Sequence, residues 1–141
     1  MMQRGRRIAF DYGDVRIGVA VSDADSIICS PLTTLKSSDK SLLKNITEIL
    51  VEIQPVQIYV GKPALLSGKD GVSADKAISF AEILRGITDV EIIMVDERLS
   101  TVSAARNLRE SGKNAKNSKE TIDMAAAVGI LDFALDLEKR K

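Results

Sequence analysis

The stretch RRIAFDYGDVRIGVAVSD, residues 6–23, decides how the rest of the chain is read. Alternation through residues 6–12, and again through VRIGVAVS at 15–22, fits two strands. The intervening YGDV offers a tight turn at Gly13 and Asp14, so the pair reads as a hairpin. Asp11 is the residue that does not belong. It follows directly on Ile8, Ala9 and Phe10, where a lone buried carboxylate costs several kcal/mol unless something neutralises it.

Working outward, residues 27–35 (IICSPLTTL) are extended by their β-branched content, and Pro31 suits an edge strand or its irregular end. Residues 39–53 place Leu42, Leu43, Ile46, Ile49, Leu50 and Ile53 at helical spacing before Pro55 stops the run. A short apolar strand, VQIYVGKP at 56–63, leads through a polar loop to a helix at about 73–86. VEIIMVDERLST at 90–101 then repeats the pattern, with acidic residues at the strand's carboxyl end and a helix beginning near Ser100 or Thr101. Residues 110–120 are polar, lysine-rich and without periodicity, which predicts a loop. The last helix, about 119–138, carries Ile122, Ala126, Gly129, Ile130, Phe133 and Leu137 on one face. The sum is an α/β fold with a mixed five-stranded sheet, three antiparallel strands then two parallel, flanked by helices and joined by right-handed crossovers.

Composition narrows the chemistry. The 141 residues fit one domain spanning 1–141. Twenty basic and twenty acidic residues cancel, so any attraction for a polyanion must come from local charge rather than from the whole molecule. The lone cysteine, Cys29, permits no intrachain disulfide and no cysteine-rich zinc site, and the absence of histidine removes the commonest acid-base residue. No apolar run approaches membrane-spanning length and no signal-type block follows MMQRGRR, so a cytoplasmic protein without membrane contact is the expectation.

What remains is a set of acids. Asp11 ends an apolar strand, Asp96 and Glu97 end another, and Asp123 is followed along the last helix by Ala126, Ala127 and Ile130. In open α/β sheets ligands gather at the carboxyl ends of strands. Carboxylates about 5 Å apart repel by about 3 kcal/mol per pair at an effective dielectric near 20. Such a cluster needs a proton or a cation, and hard oxygen donors alone favour Mg²⁺ or Mn²⁺, the ions of metal-assisted phosphodiester hydrolysis. Each acid also has a plainer explanation: Asp11 as a turn residue, Asp96, Glu97 and Asp123 as charges favoured near helix amino ends.

The blocks DYGDVRIGVAVSD (11–23), VGKP (60–63), DERLSTVSA (96–104) and IDMAAAVGIL (122–131) resemble, in order and spacing, the YqgF/RuvX family of pre-16S rRNA nucleases, formerly described as Holliday junction resolvases. That resemblance covers nearly the whole chain. It implies an RNase H-like fold and a metal-binding catalytic site formed by Asp11, the pair Asp96 and Glu97, and Asp123. Adjacent strand residues face opposite sides, so spacing alone leaves open which member of the pair serves. One departure stands out: the family commonly reads Gly-Leu-Pro and then Asn and Asp, whereas this chain has Gly61-Lys62-Pro63 followed by ALLSG.

Lys62 reads equally as a phosphate contact or a solvated lysine. Arg16, Arg98, Lys113, Lys116 and Lys119 are further candidates for contacting substrate phosphates, the contacts that dominate nucleic-acid affinity. With two Tyr, three Phe and no Trp, stacking platforms for single strands are scarce, so recognition by backbone and shape suits this composition. The leading expectation is therefore a metal-dependent endonuclease acting on structured RNA in 5′ maturation of pre-16S rRNA. Resolution of four-way DNA and a non-catalytic nucleic-acid-binding role are the alternatives. A two-lobed ATPase whose phosphate hairpin also opens Asp-x-Gly would need more chain than is present here.

Overall fold

A computed structural model describes the backbone of residues 4–13, 15–62, 71–96 and 116–139, and the side chains of these residues except 62, 71–74, 96 and 116–123. The elements run β1 (Arg7–Tyr12), β2 (Arg16–Ser22), β3 (Cys29–Lys36), α1 (Leu42–Ile53), β4 (Gln57–Lys62), α2 (Gly71–Arg85), β5 (Ile92–Asp96) and α3 (Lys116–Lys139). They build one five-stranded sheet in the order β3-β2-β1-β4-β5. The pairs β1–β2 and β2–β3 are antiparallel, and β1–β4 and β4–β5 are parallel, as the sequence predicts.

Each face of the sheet has its own packing logic. Ile8, Phe10, Ile17, Val19, Ile58 and Val60 project to one side and bury against α1 through Ile46 and Leu50 and against α2 through Phe80, Ala81 and Leu84. Phe10 meets Phe80 edge-on, with centroids 5.6 Å apart. The other side is lined by small residues, among them Ala9 and Ala20, which lets α3 press Ala126, Ala127, Ile130, Leu131, Ala134 and Leu135 close to the strands. Large residues on one face and small on the other thus alternate along β1 and β2 with the strand period of two.

Local chemistry sets the boundaries. At α1, Gln54 turns left-handed (φ 49°) and donates its N–H to the Leu50 carbonyl, after which Pro55 forbids continuation. Gly13 makes the β1–β2 turn possible, because a Cβ there would stand 2.6 Å from the Arg16 carbonyl oxygen. Ser37 holds that turn to the end of β3, its hydroxyl donating to the Gly13 carbonyl and its N–H to that of Val15. On the edge strand β3, Val19 pairs with Thr33 but Ala20 pairs with Pro31, leaving Leu32 as an extra residue.

Two expectations need correction. The polar segment 110–120 is not wholly a loop, since α3 begins at Lys116. Lys and Glu propagate a helix without apolar periodicity, so the hydrophobic pattern could not reveal the start. The buried stripe of α3 is also shifted from the predicted one: Ala127, Leu131, Ala134 and Leu135 are buried, Phe133 is half-buried and Leu137 is exposed. The helix thus buries a stripe rich in alanine against the small-residue side of the sheet.

Candidate active site

Helix direction comes first, because it decides which end of the sheet α3 serves. Arg7, at the start of β1 and 3% exposed, donates from Nη2 to the Glu138 carboxylate (3.1 Å) and from Nη1 to the Ser26 hydroxyl (2.9 Å) and the Gly5 carbonyl (2.6 Å). Because Glu138 lies near the C-terminus of α3, the helix runs against β1 and its amino-terminal half lies toward the carboxyl end of that strand.

At that end sits Asp11, 3% exposed and thus a buried acid. It pairs with Gly18 of β2 on one side and Gly61 of β4 on the other. The row continues to Thr34 of β3 beyond Gly18 and to Val95 of β5 beyond Gly61. Neither immediate neighbour carries a side chain, so the flanking side chains of this row stand two strands away, about 10 Å at normal strand spacing. Val95 belongs to the core on the α3 side, as does Ala9 two residues before Asp11, so this whole row is on the face that α3 covers.

The other candidates are placed as follows. Asp96 is the last residue of β5 and lies in register with Lys62, the last of β4, one row beyond Val95. Asp123 lies within α3, three, four and seven residues before Ala126, Ala127 and Ile130, and so shares their helical face. Its neighbour Met124 lines a groove with Arg16, Thr34 and Lys36, which brings this part of α3 over the sheet end that carries Asp11. Glu97, Arg98 and Lys113 lie outside the described residues. Lys116 and Lys119 stand on the first turns of α3 rather than in a loop.

Backbone positions 11, 96 and 123 are therefore brought to one end of the sheet. Among the residues whose side chains are described, no group of three or more acids or thiols is close enough to hold a metal; the side chains of residues 96, 97 and 123 fall outside that set. The donors available at positions 11, 96, 97 and 123 are all carboxylate oxygens, which fit a hard divalent ion and do not fit a soft one.

Sequence reading did not single out Thr34 and Lys36, which line this groove. They align with Gly18 and Arg16 only because the extra residue at Leu32 shifts the β2–β3 register. Cys29, by contrast, takes no part in this site: burial first, and then the hydrogen bond and charge of Asp132, push its thiol up to about 12.

A family model described as "RuvX: Holliday junction resolvase" matches residues 5–137. The chain belongs to the RuvX family. Among curated RuvX relatives, one from Mycobacterium sp. (strain KMS) is 46% identical over 137 residues, covering 94% of this chain and 80% of the relative. One from Nocardia farcinica is 48% identical over 141 residues, covering 94% and 78%. One from Streptomyces coelicolor is 41% identical over 140 residues, covering 98% and 84%. All three carry the name "Putative pre-16S rRNA nuclease". In fold, the RuvX chain is similar to T. thermophilus RuvC in complex with Holliday junction substrate, with a TM-score of 0.54 at 18% identity and 96% of each chain covered.

Proposed function

We propose that this RuvX protein is a divalent-metal-dependent endonuclease of the cytoplasm that trims the 5′ end of pre-16S rRNA, its 141 residues forming one RNase H-like domain. The observation that carries the reading is Asp11, a buried acid flanked by two glycines at the carboxyl end of the central strand. A buried carboxylate so placed offers hard oxygen donors suited to a divalent ion. No helix among the described residues is long and apolar enough to cross a membrane.

The site is assigned to Asp11, the 96–97 doublet and Asp123. Within the doublet we favour position 97: Val95 shares the face of Asp11, and strict strand alternation would return position 97 to that face. Asp96 then supports from the adjoining row beside Lys62. These carboxylates would hold Mg²⁺ or Mn²⁺, which would supply activation of the attacking water and offset charge on the phosphate oxygens. The protein's own part is to fix the acids on rigid elements: Asp11 on β1, Asp96 at the end of β5 and Asp123 on the clamped α3. Arg16, Lys62, Arg98, Lys113, Lys116 and Lys119 are assigned to substrate phosphates.

Resolution of four-way DNA is the second reading, favoured by the description of the matched family. Symmetric cleavage of a junction needs two sites related by a dimer axis, so gel filtration separates the two readings further. The direct test presents labelled RNA carrying the 16S 5′ leader and a four-way DNA junction side by side, with Mg²⁺, Mn²⁺ or a chelator. Metal-dependent cleavage of the RNA alone supports the first reading, and paired nicks in the junction support the second. No cleavage of either by wild-type protein makes it a binder.

A further inference from the structure

The top of β2 and β3 and the Met124 turn of α3 line a groove of about 630 Å³ beside Asp11. Its described lining includes Arg16, Thr33, Thr34, Lys36, Ser38 and Met124, and no carboxylate. The remaining lining, Val15, Leu32 and Leu35, is apolar, and the cations Arg16 and Lys36 share one sheet face with the Thr34 hydroxyl, a set suited to phosphate oxygens. Arg16 and Lys36 are directly paired across the two strands.

The groove is also in line with the acid site. Thr34 pairs with Gly18, and Gly18 pairs with Asp11, so a single row joins them with only a glycine between. Thr34 Oγ1 is covered and has no hydrogen-bond partner, an unmet donor on the groove wall. Met124, an adaptable side chain, stands at the same place and can turn aside to admit an acceptor.

We propose that this groove seats the phosphate backbone of the nucleic-acid strand to one side of the scissile bond. The strand crosses the sheet over Gly18 toward the β3 edge, with Arg16 and Lys36 on phosphates and the Thr34 hydroxyl donating to one of them. The proposal rests on the nuclease reading for what happens at Asp11, but binding can be measured without hydrolysis.

The test uses fluorescence anisotropy of a labelled 16S-leader RNA with the full chain in chelator, at a series of salt concentrations. Lys36→Gln, at an exposed position, is expected to weaken binding about 3- to 10-fold at low salt and to flatten the log K against log salt slope by about 0.7 to 0.9, the share of one phosphate contact. Thr34→Val keeps the branched shape of the strand and is expected to weaken binding without lowering the thermal midpoint. In cleavage with metal, both variants are expected to raise KM and leave kcat within about twofold of wild type. Affinity and slope unchanged in Lys36→Gln overturn the groove even if Asp11→Asn is inactive. Wild-type protein that binds RNA but never cleaves it sinks the hydrolytic reading while the salt slope still decides the groove, and wild-type protein that binds no RNA at any salt sinks both.

Discussion

Three side chains, two buried and one half-buried, separate function from packing at the level of single residues. Asp11→Asn keeps the shape of the side chain and removes its charge. We expect at least a 100-fold fall in metal-dependent cleavage with an unchanged far-ultraviolet circular dichroism spectrum, because a neutral amide is a poor ligand for a hard cation. Tyr59 is 3% exposed and its hydroxyl has no partner, so it burdens the core it fills. Tyr59→Phe is expected to stabilise the fold by about 1 kcal/mol in urea denaturation, since an unsatisfied buried hydroxyl carries a desolvation cost. At Cys29 the folded thiol ionises at about 12 against an ordinary value of 9.0, chiefly through burial. Between those values the unfolded chain releases a proton that the folded chain keeps, so stability falls as pH rises above about 9. Cys29→Ala is expected to flatten that alkaline fall, measured as the urea midpoint from pH 8 to 11.

Among the elements, α3 carries the weight of the account, because it spans from the Arg7 clamp to the acid end of the sheet. Arg7 is nearly fully buried and Glu138 only 20% exposed, so truncating the partner strands a charge inside the protein. Glu138→Ala is expected to cost about 3 kcal/mol in urea denaturation, and to lower cleavage activity with it if the clamp sets the position of Asp123. The same helix shows how far sequence could lead. The hairpin, the alternation of strand and helix and the stop at Pro55 were all legible because each depends on local periodicity or on one residue's stereochemistry. The start at Lys116 was not, because polar turns carry no apolar signal. Its buried stripe was misjudged for a different reason: hydrophobicity favours Phe133 and Leu137, whereas the opposing surface of Ala9 and Ala20 selects for closeness and thus for Ala127 and Ala134. The acids themselves were legible as candidates, since each interrupts or terminates an apolar pattern. The adjoining groove was hidden, because the register that aligns Thr34 with Gly18 depends on one bulged residue.

For the whole molecule, balanced charge and a sheet with both faces covered by helices leave the carboxyl ends of the parallel strands as the natural place for chemistry. Cations at Arg16 and Lys36 stand to one side of the acids, and Lys62 holds the register position beside Asp96 on the other. A molecule with no net charge thus presents a polyanion with local attraction around an acidic centre, and binding should weaken steeply with salt. Convergence of positions 11, 97 and 123 on one cation is the claim on which the mechanism depends. It is tested most directly by titrating Mn²⁺ into wild-type and Asp11→Asn protein and reading free ion by electron paramagnetic resonance. The account predicts saturable binding to the wild type and affinity at least tenfold weaker in the variant. Equal Mn²⁺ affinity in the two proteins would contradict it.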